Sequence, residues 1–267
     1  MNVAGPASGV SRGSAILLEA GGIVELLTAS MHTLLPGRRR GHRVKLNFMI
    51  REFVRAGNRS LPLISLICVL IGMIMALQAA RQLAQFGAQE LVADLVAVSL
   101  TRELAPLLAA VIVAARYGSA IAAELATMRI TQEIDAYQVM GVDPVAYLVV
   151  PRIVGTLLAL PCLQVFASAL GILGGWSMAV TVLGLPAGPY LINSLNVLLL
   201  PDLILGAVKA LLFGMVIGLV SCHCGMRVGG AKTQVGEATT AAVVRSIVLA
   251  IVVDLFITVL FFRASGS

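Results

Sequence analysis

Positions 60–80 carry no charged side chain, and at about 1.5 Å of rise per residue such a run crosses the hydrocarbon of a bilayer as one helix. The pattern recurs. A second apolar stretch covers about 91–128, with Pro106 placed to kink or divide it and 102–128 as the crossing portion. A third is a run of 49 uncharged residues, 153–201, in which Gly184, Pro186, Gly188 and Pro189 break the pattern late. They favour one helix over about 146–183, kinked at Pro161, and then a loop. Runs at 201–224 and 241–262 complete five expected spans. Before the first, Arg43, Asn47, Arg51, Arg55 and Arg59 recur every four residues opposite Leu46, Met49, Ile50 and Phe53. That pattern predicts an amphipathic helix lying in the membrane interface. Glu19, Glu25, His32 and the pair Gly21-Gly22 favour a second interfacial helix over a span at 15–35.

The distribution of bases orients these elements. Segments 1–60, 126–152 and 225–245 hold nine, two and three Lys or Arg, whereas the alternate loops hold only Arg81 and Arg263. By the positive-inside rule this predicts a cytoplasmic N-terminus and a periplasmic C-terminus. The reading is an all-α integral membrane protein, with a basic cytoplasmic or interfacial segment at 1–59 and a membrane domain at 60–267. Composition agrees, since 59% of the 267 residues are hydrophobic and only 12% charged, about half the charge of a soluble domain. The first 60 residues account for the whole net charge of +6, and Arg38-Arg39-Arg40 there reads as facing lipid headgroups and not as a nucleic-acid site. The first 13 residues lack the order of a cleavable signal peptide.

Catalytic chemistry has few candidates. Cys222-His223-Cys224 lacks the second ligand pair of a zinc site, so core thiols and no metal are expected. Residues 225–233 (GMRVGGAKT) approach a phosphate-binding loop but have one residue too many and come after an apolar helix instead of a strand. No catalytic motif stands out, so the chain is read as a non-enzyme with no cofactor of its own. The charges inside spans are more informative, because an ionisable group in hydrocarbon needs a partner or water. Lys209 and Asp254 are each expected about 12 Å below the outer ends of their helices, close enough to pair. Arg102 and Glu103 supply a second opposite-sign pair, so the four charges cancel. They either fix helix packing or line a hydrated, headgroup-accepting cavity. Arg116 and Glu124, eight residues apart, read as a structural polar stripe. Two GxxxG runs, Gly171–Gly175 and Gly214–Gly218, suggest close helix contacts, one of them at a subunit interface.

Between the second and third spans, Thr131 is placed to cap a short helix carrying Glu133 and Asp135 in its first turn. Ile130, Ile134, Tyr137 and Met140 give it an apolar face, and Gly141 with Asp143-Pro144 ends it. Such a helix either docks a partner or lies on the membrane.

Here the chain resembles the MlaE/YrbE-like permease family, the membrane subunits of MCE-associated lipid ABC transporters. The matching segments are 100–107 (LTRELAPL), 114–128 (AARYGSAIAAELATM), 132–152, Lys209 in GAVKALLF, 236–243 (GEATTAAV) and Val253-Asp254-Leu255-Phe256. The resemblance implies a homodimeric inner-membrane permease that moves phospholipid or a related lipid between inner and outer membranes. It further implies a cytoplasmic ABC ATPase carrying the ATP and Mg, a periplasmic MCE-domain protein and a STAS-domain protein, with a role in outer-membrane lipid asymmetry. Thr131, Gln132, Glu133, Ile134, Asp135, Tyr137 and Met140 would form the coupling helix that contacts the ATPase. Arg102, Glu103, Lys209 and Asp254 would be the family's intramembrane charged positions. The competing reading is a gradient-driven secondary transporter or channel that uses those charges.

Overall fold

The computed structural model describes residues 46–229 and 233–265, together with Gly21, Gly22, Leu26 and Thr28. The expected helix at 15–35 is therefore described at only four positions, and residues 230–232 of the near phosphate loop lie outside the described residues. From residue 46 onward the described residues form seven helices and no strand: α1 (Leu46–Ala84), α2 (Gln89–Ile130), α3 (Glu133–Val139), α4 (Val145–Thr181), α5 (Ala187–Val197), α6 (Leu200–Met226) and α7 (Thr233–Ser265). All but α3 and α5 are long and apolar enough to cross a membrane.

The first departure from expectation is α1. Its basic N-terminal half is not a separate interfacial helix but continues into the first span as one helix of 39 residues. A buried row at strict four-residue spacing explains the continuity: Glu52, Ala56, Ser60, Ile64, Cys68, Gly72, Ala76 and Ala80. Pro62 falls on the exposed side of that row and does not interrupt it. A matching row on α4 (Gly155, Ala159, Leu163, Ala167, Gly171, Gly175 and Ala179) is also buried. The two helices run parallel, with Gly155 beside Glu52 and Gly171 beside Gly72. A Cβ at Gly72 would meet the Gly171 carbonyl oxygen at 1.9 Å, and one at Gly174 would meet that of Val69 at 2.3 Å. The backbones touch because no side chain stands between them.

The second GxxxG run behaves alike. Gly214 lies against the backbone of Thr156 and Leu157, and Gly218 against Ile153 and Thr156, so α6 packs on the other side of α4. Both motifs thus serve packing within the protomer, which corrects the expectation that one forms a subunit interface. The outermost helix, α7, rests on α6 and α2 and leaves Leu255, Phe256, Leu260 and Phe262 exposed. The expected loop after α4 contains α5, whose Tyr190 is buried beside Gly175 and whose Ala187 carbonyl accepts the Trp176 indole N–H at 3.1 Å.

Helix α2 is not uniform. At Leu100–Leu104 and Ala114–Gly118 it widens into π-type turns closed by Ala105 N–H to Leu100 O and by Ser119 N–H to Ala114 O, and α4 opens with a third at Val145–Val149. Each adds a residue to a turn and rotates the later part of the helix relative to the earlier part.

Candidate functional site

The widened turn at Leu100–Leu104 presents Arg102 and Glu103 toward α6 and α7, but they do not pair with each other as expected. Glu103 Oε2 accepts from Lys209 Nζ at 2.5 Å. The same ammonium donates to Thr258 Oγ1 at 2.7 Å and lies 2.9 Å from Asp254 Oδ1. Thr258 in turn donates to Glu103 Oε1 at 3.3 Å. Lys209 is wholly buried; its ammonium makes two hydrogen bonds, to Glu103 and Thr258, and a close ion pair with Asp254. Arg102 instead binds Asp202, with Nε 2.6 Å from Oδ1, and its guanidinium stands 5.9 Å from the ring centre of Phe261. Asp202 belongs to the first turn of α6 and also caps it, its Oδ2 accepting from Leu199 N–H at 3.1 Å. Adding Asp202 gives three carboxylates against two cations, so the cluster carries a net negative charge and not the zero sum expected.

The backbone makes room for this. Gln164 of α4 donates to the carbonyl of Thr101 inside the widened turn at 3.4 Å and to Ser168 Oγ at 3.2 Å. Gly206 lets α6 approach the same carbonyl, which a Cβ would meet at 2.7 Å. Lys209 and Asp202 are sealed, while the side chains of Arg102 and Glu103 remain 38% and 40% exposed, so the cluster is reached through those two residues.

A second polar network ties the opposite end of the bundle. Glu124 accepts from Arg55 of α1 and from Arg152 of α4, with Nη1 at 3.1 Å and Nη2 at 3.3 Å respectively. Tyr117 donates to the buried Glu52. Arg116 takes no part: it is exposed and has no ion-pair or hydrogen-bond partner through its side chain among the described residues. Arg116 and Glu124 therefore do not form one stripe, because Arg116 lies within the widened turn Ala114–Gly118, which breaks the 3.6-residue register on which the eight-residue spacing relied.

Helix α3 hangs beside this network. Thr131 is not its N-cap but closes α2, its hydroxyl donating to the Thr127 carbonyl at 3.0 Å. Gln132, with φ +59°, precedes α3. Of the expected apolar face, Ile134 is buried, Ile130 and Tyr137 are partly so, and Met140 is exposed with its neighbour Val139. Tyr137 packs on Tyr147 at 5.4 Å between ring centres, and Asp135 holds Arg129 at 2.5 Å. Gly141 ends the helix at φ +75°, with Gly141 N–H to Gln138 O and Val142 N–H to Tyr137 O closing a Schellman motif.

Sequence reasoning missed Asp202, Thr258, Phe261, Glu52, Tyr117, Arg55 and Arg152 as members of these clusters. Thr258 had a signal, standing four residues after Asp254 on one helical face. Asp202 had another, as an acid in the first turn of a helix begun by Pro201. For Arg55 the basic periodicity hid the signal, since it placed the residue on the cationic stripe of an interfacial helix, opposite the apolar one.

Residues 49–260 match the family model described as Permease MlaE. A probable ABC transporter permease protein of Rickettsia prowazekii is 38% identical over 218 residues, covering 82% of this chain and 84% of the relative. A probable ABC transporter permease protein of Synechocystis is 34% identical, covering 84% and 86%. The chloroplastic protein trigalactosyldiacylglycerol 1 of Arabidopsis thaliana is 31% identical, covering 82% of this chain and 62% of its own length.

Proposed function

Because this chain belongs to the MlaE permease family, we propose that it is the membrane subunit of an ABC transporter that moves phospholipid or a related lipid between inner and outer membranes. A separate ATPase drives it, and two copies form the permease beneath a periplasmic MCE-domain protein, with a STAS-domain protein on the cytoplasmic side. The observation that carries the ATP-driven part is α3. One buried isoleucine, the packing of Tyr137 on Tyr147 and one ion pair hold it between two spans, while Val139 and Met140 stay bare for a partner. A relative whose name contains a galactolipid supports a lipid cargo, as does a charge cluster reached through Arg102 and Glu103 beside the exposed apolar face of α7.

In this reading ATP binding and hydrolysis push on α3, α4 moves with it, and a cavity opens or closes near Arg102 and Glu103. The polar groups hold the headgroup and the exposed apolar helix faces hold the acyl chains. The test is purification of the tagged chain from native membranes in mild detergent, with mass spectrometry of co-purifying proteins and lipids, then reconstitution with the recovered ATPase. Nucleotide-dependent lipid transfer is expected. Transfer that depends on an ion gradient and ignores nucleotide overturns the reading in favour of a secondary transporter.

A further inference from the structure

A cavity of about 670 Å³ opens at the α3 end of the bundle, remote from the Lys209 cluster. Four guanidinium groups line it, Arg51, Arg55 and Arg59 from α1 and Arg152 from α4, with Tyr137 of α3 and Tyr147 of α4 as aromatic wall. Glu52 and Glu124 offset two of the four charges through Arg55 and Arg152, leaving an excess of two positive charges. Arg51 and Arg59 are exposed and carry no ion pair among the described residues. Arg152 is only 4% exposed; Nη1 and Nη2 are used, yet its buried Nε has no acceptor. That atom is itself sealed from the cavity, so Arg152 contributes fixed positive charge to the wall, and the donors free to meet an anion are those of Arg51 and Arg59.

The geometry points to a binding site for a phosphate group, and specifically for that of an anionic phospholipid in the leaflet on the α3 side. Planar guanidinium groups match phosphate oxygens bidentately, and Glu124 holds Arg55 and Arg152 in place while Arg51 and Arg59 are left free to close on the anion. The surface adjoining the cavity identifies the source as lipid. The exposed face of α1 continues from Val54 to Leu66, Leu70 and Ile74, an apolar track on which acyl chains lie once the headgroup is seated. Because Tyr137 forms part of the wall, an occupied site also braces α3. The inference rests on the cavity and on a membrane-embedded chain, not on which lipid is transported.

Native mass spectrometry of the purified full-length chain, titrated separately with short-chain phosphatidylglycerol, short-chain phosphatidylcholine and inorganic phosphate, tests it. Phosphatidylglycerol is expected to bind most tightly, and the double variant Arg51→Gln/Arg59→Gln to weaken it about tenfold. Neither arginine holds another side chain, so the variant leaves the fold intact. Arg81→Gln, at the far end of α1, is expected to change nothing. Unchanged affinity in the double variant, equal loss in Arg81→Gln, or inorganic phosphate binding as tightly as the lipid would each overturn the assignment.

Discussion

Lys209 is the residue on which three helices converge, since its single ammonium meets Glu103 of α2 and both Asp254 and Thr258 of α7. Removing it strands Asp254 in a mostly buried position, a class of change that costs about 3–5 kcal/mol. Lys209→Ala is therefore expected to lower the thermal unfolding temperature in detergent markedly, and an unaltered Tm would show the cluster to be dispensable. Exchanging the charges of Lys209 and Asp254 does not repair the damage, because Glu103 would then face a carboxylate at the position Lys209 occupies. Measured Tm recovery in the exchanged variant would contradict this. The pairing of Lys209 with Asp254 was legible because each is an isolated charge at the same depth of its helix. The pairing with Glu103 was not, because a widened turn aims that side chain, and hydrophobic period alone does not show where an extra residue enters a turn. Gly206→Ala probes the same feature: its Cβ would press on the Thr101 carbonyl, and, on the proposed function, the displaced α6 is expected to lose lipid transfer while the chain still inserts.

For the elements, the α1–α4 seam sets the packing. Gly72→Ala places a methyl within 1.9 Å of backbone that has no flexible end to yield, whereas Gly57, in the same helix, has nothing within 4 Å of its added Cβ. Gly72→Ala is expected to destabilise strongly, and Gly57→Ala to be neutral or to stabilise by up to about 1 kcal/mol through helix propensity. Parallel thermal melts decide it, and equal effects would refute the seam. The five spans were readable from charge-free runs, but the fusion of the basic helix to the first span was not. Alternation of Arg with apolar residues satisfies an interfacial helix and a packed one equally, and only the small residues recurring along the buried row from Ala56 to Ala80 distinguish them. In α3, Asp135 makes an exposed pair with Arg129, the kind that contributes about 0.2–1 kcal/mol. On the proposed function, Glu133→Gln with Asp135→Asn should consequently leave Tm nearly unchanged while uncoupling ATP hydrolysis from lipid transfer; transfer at the normal ratio of lipid to ATP would exclude α3 as the coupling element.

For the whole molecule, the base distribution predicts that α3 faces the cytoplasm and the α1–α2 connection the periplasm. Val139 and Phe86 are 88% and 80% exposed at these two ends. Single cysteines at the two positions should accordingly react with a membrane-impermeant thiol reagent from opposite sides, the first only after the inner face is opened. Labelling of both from one side would reverse or abolish this topology. The contact between α1 and α4 has a mechanical meaning as well. Two helices whose backbones touch along a long parallel line resist bending and sliding far better than either does alone, and they behave as one stiff beam. Helix α4 spans 37 residues, about 55 Å at 1.5 Å per residue, and its near end is joined to α3 by a short Gly- and Pro-containing link. If α3 is the coupling element proposed above, a push at Val139 is expected to tilt this beam as a unit, so that a displacement of its near end reappears at Thr181, the far end of α4.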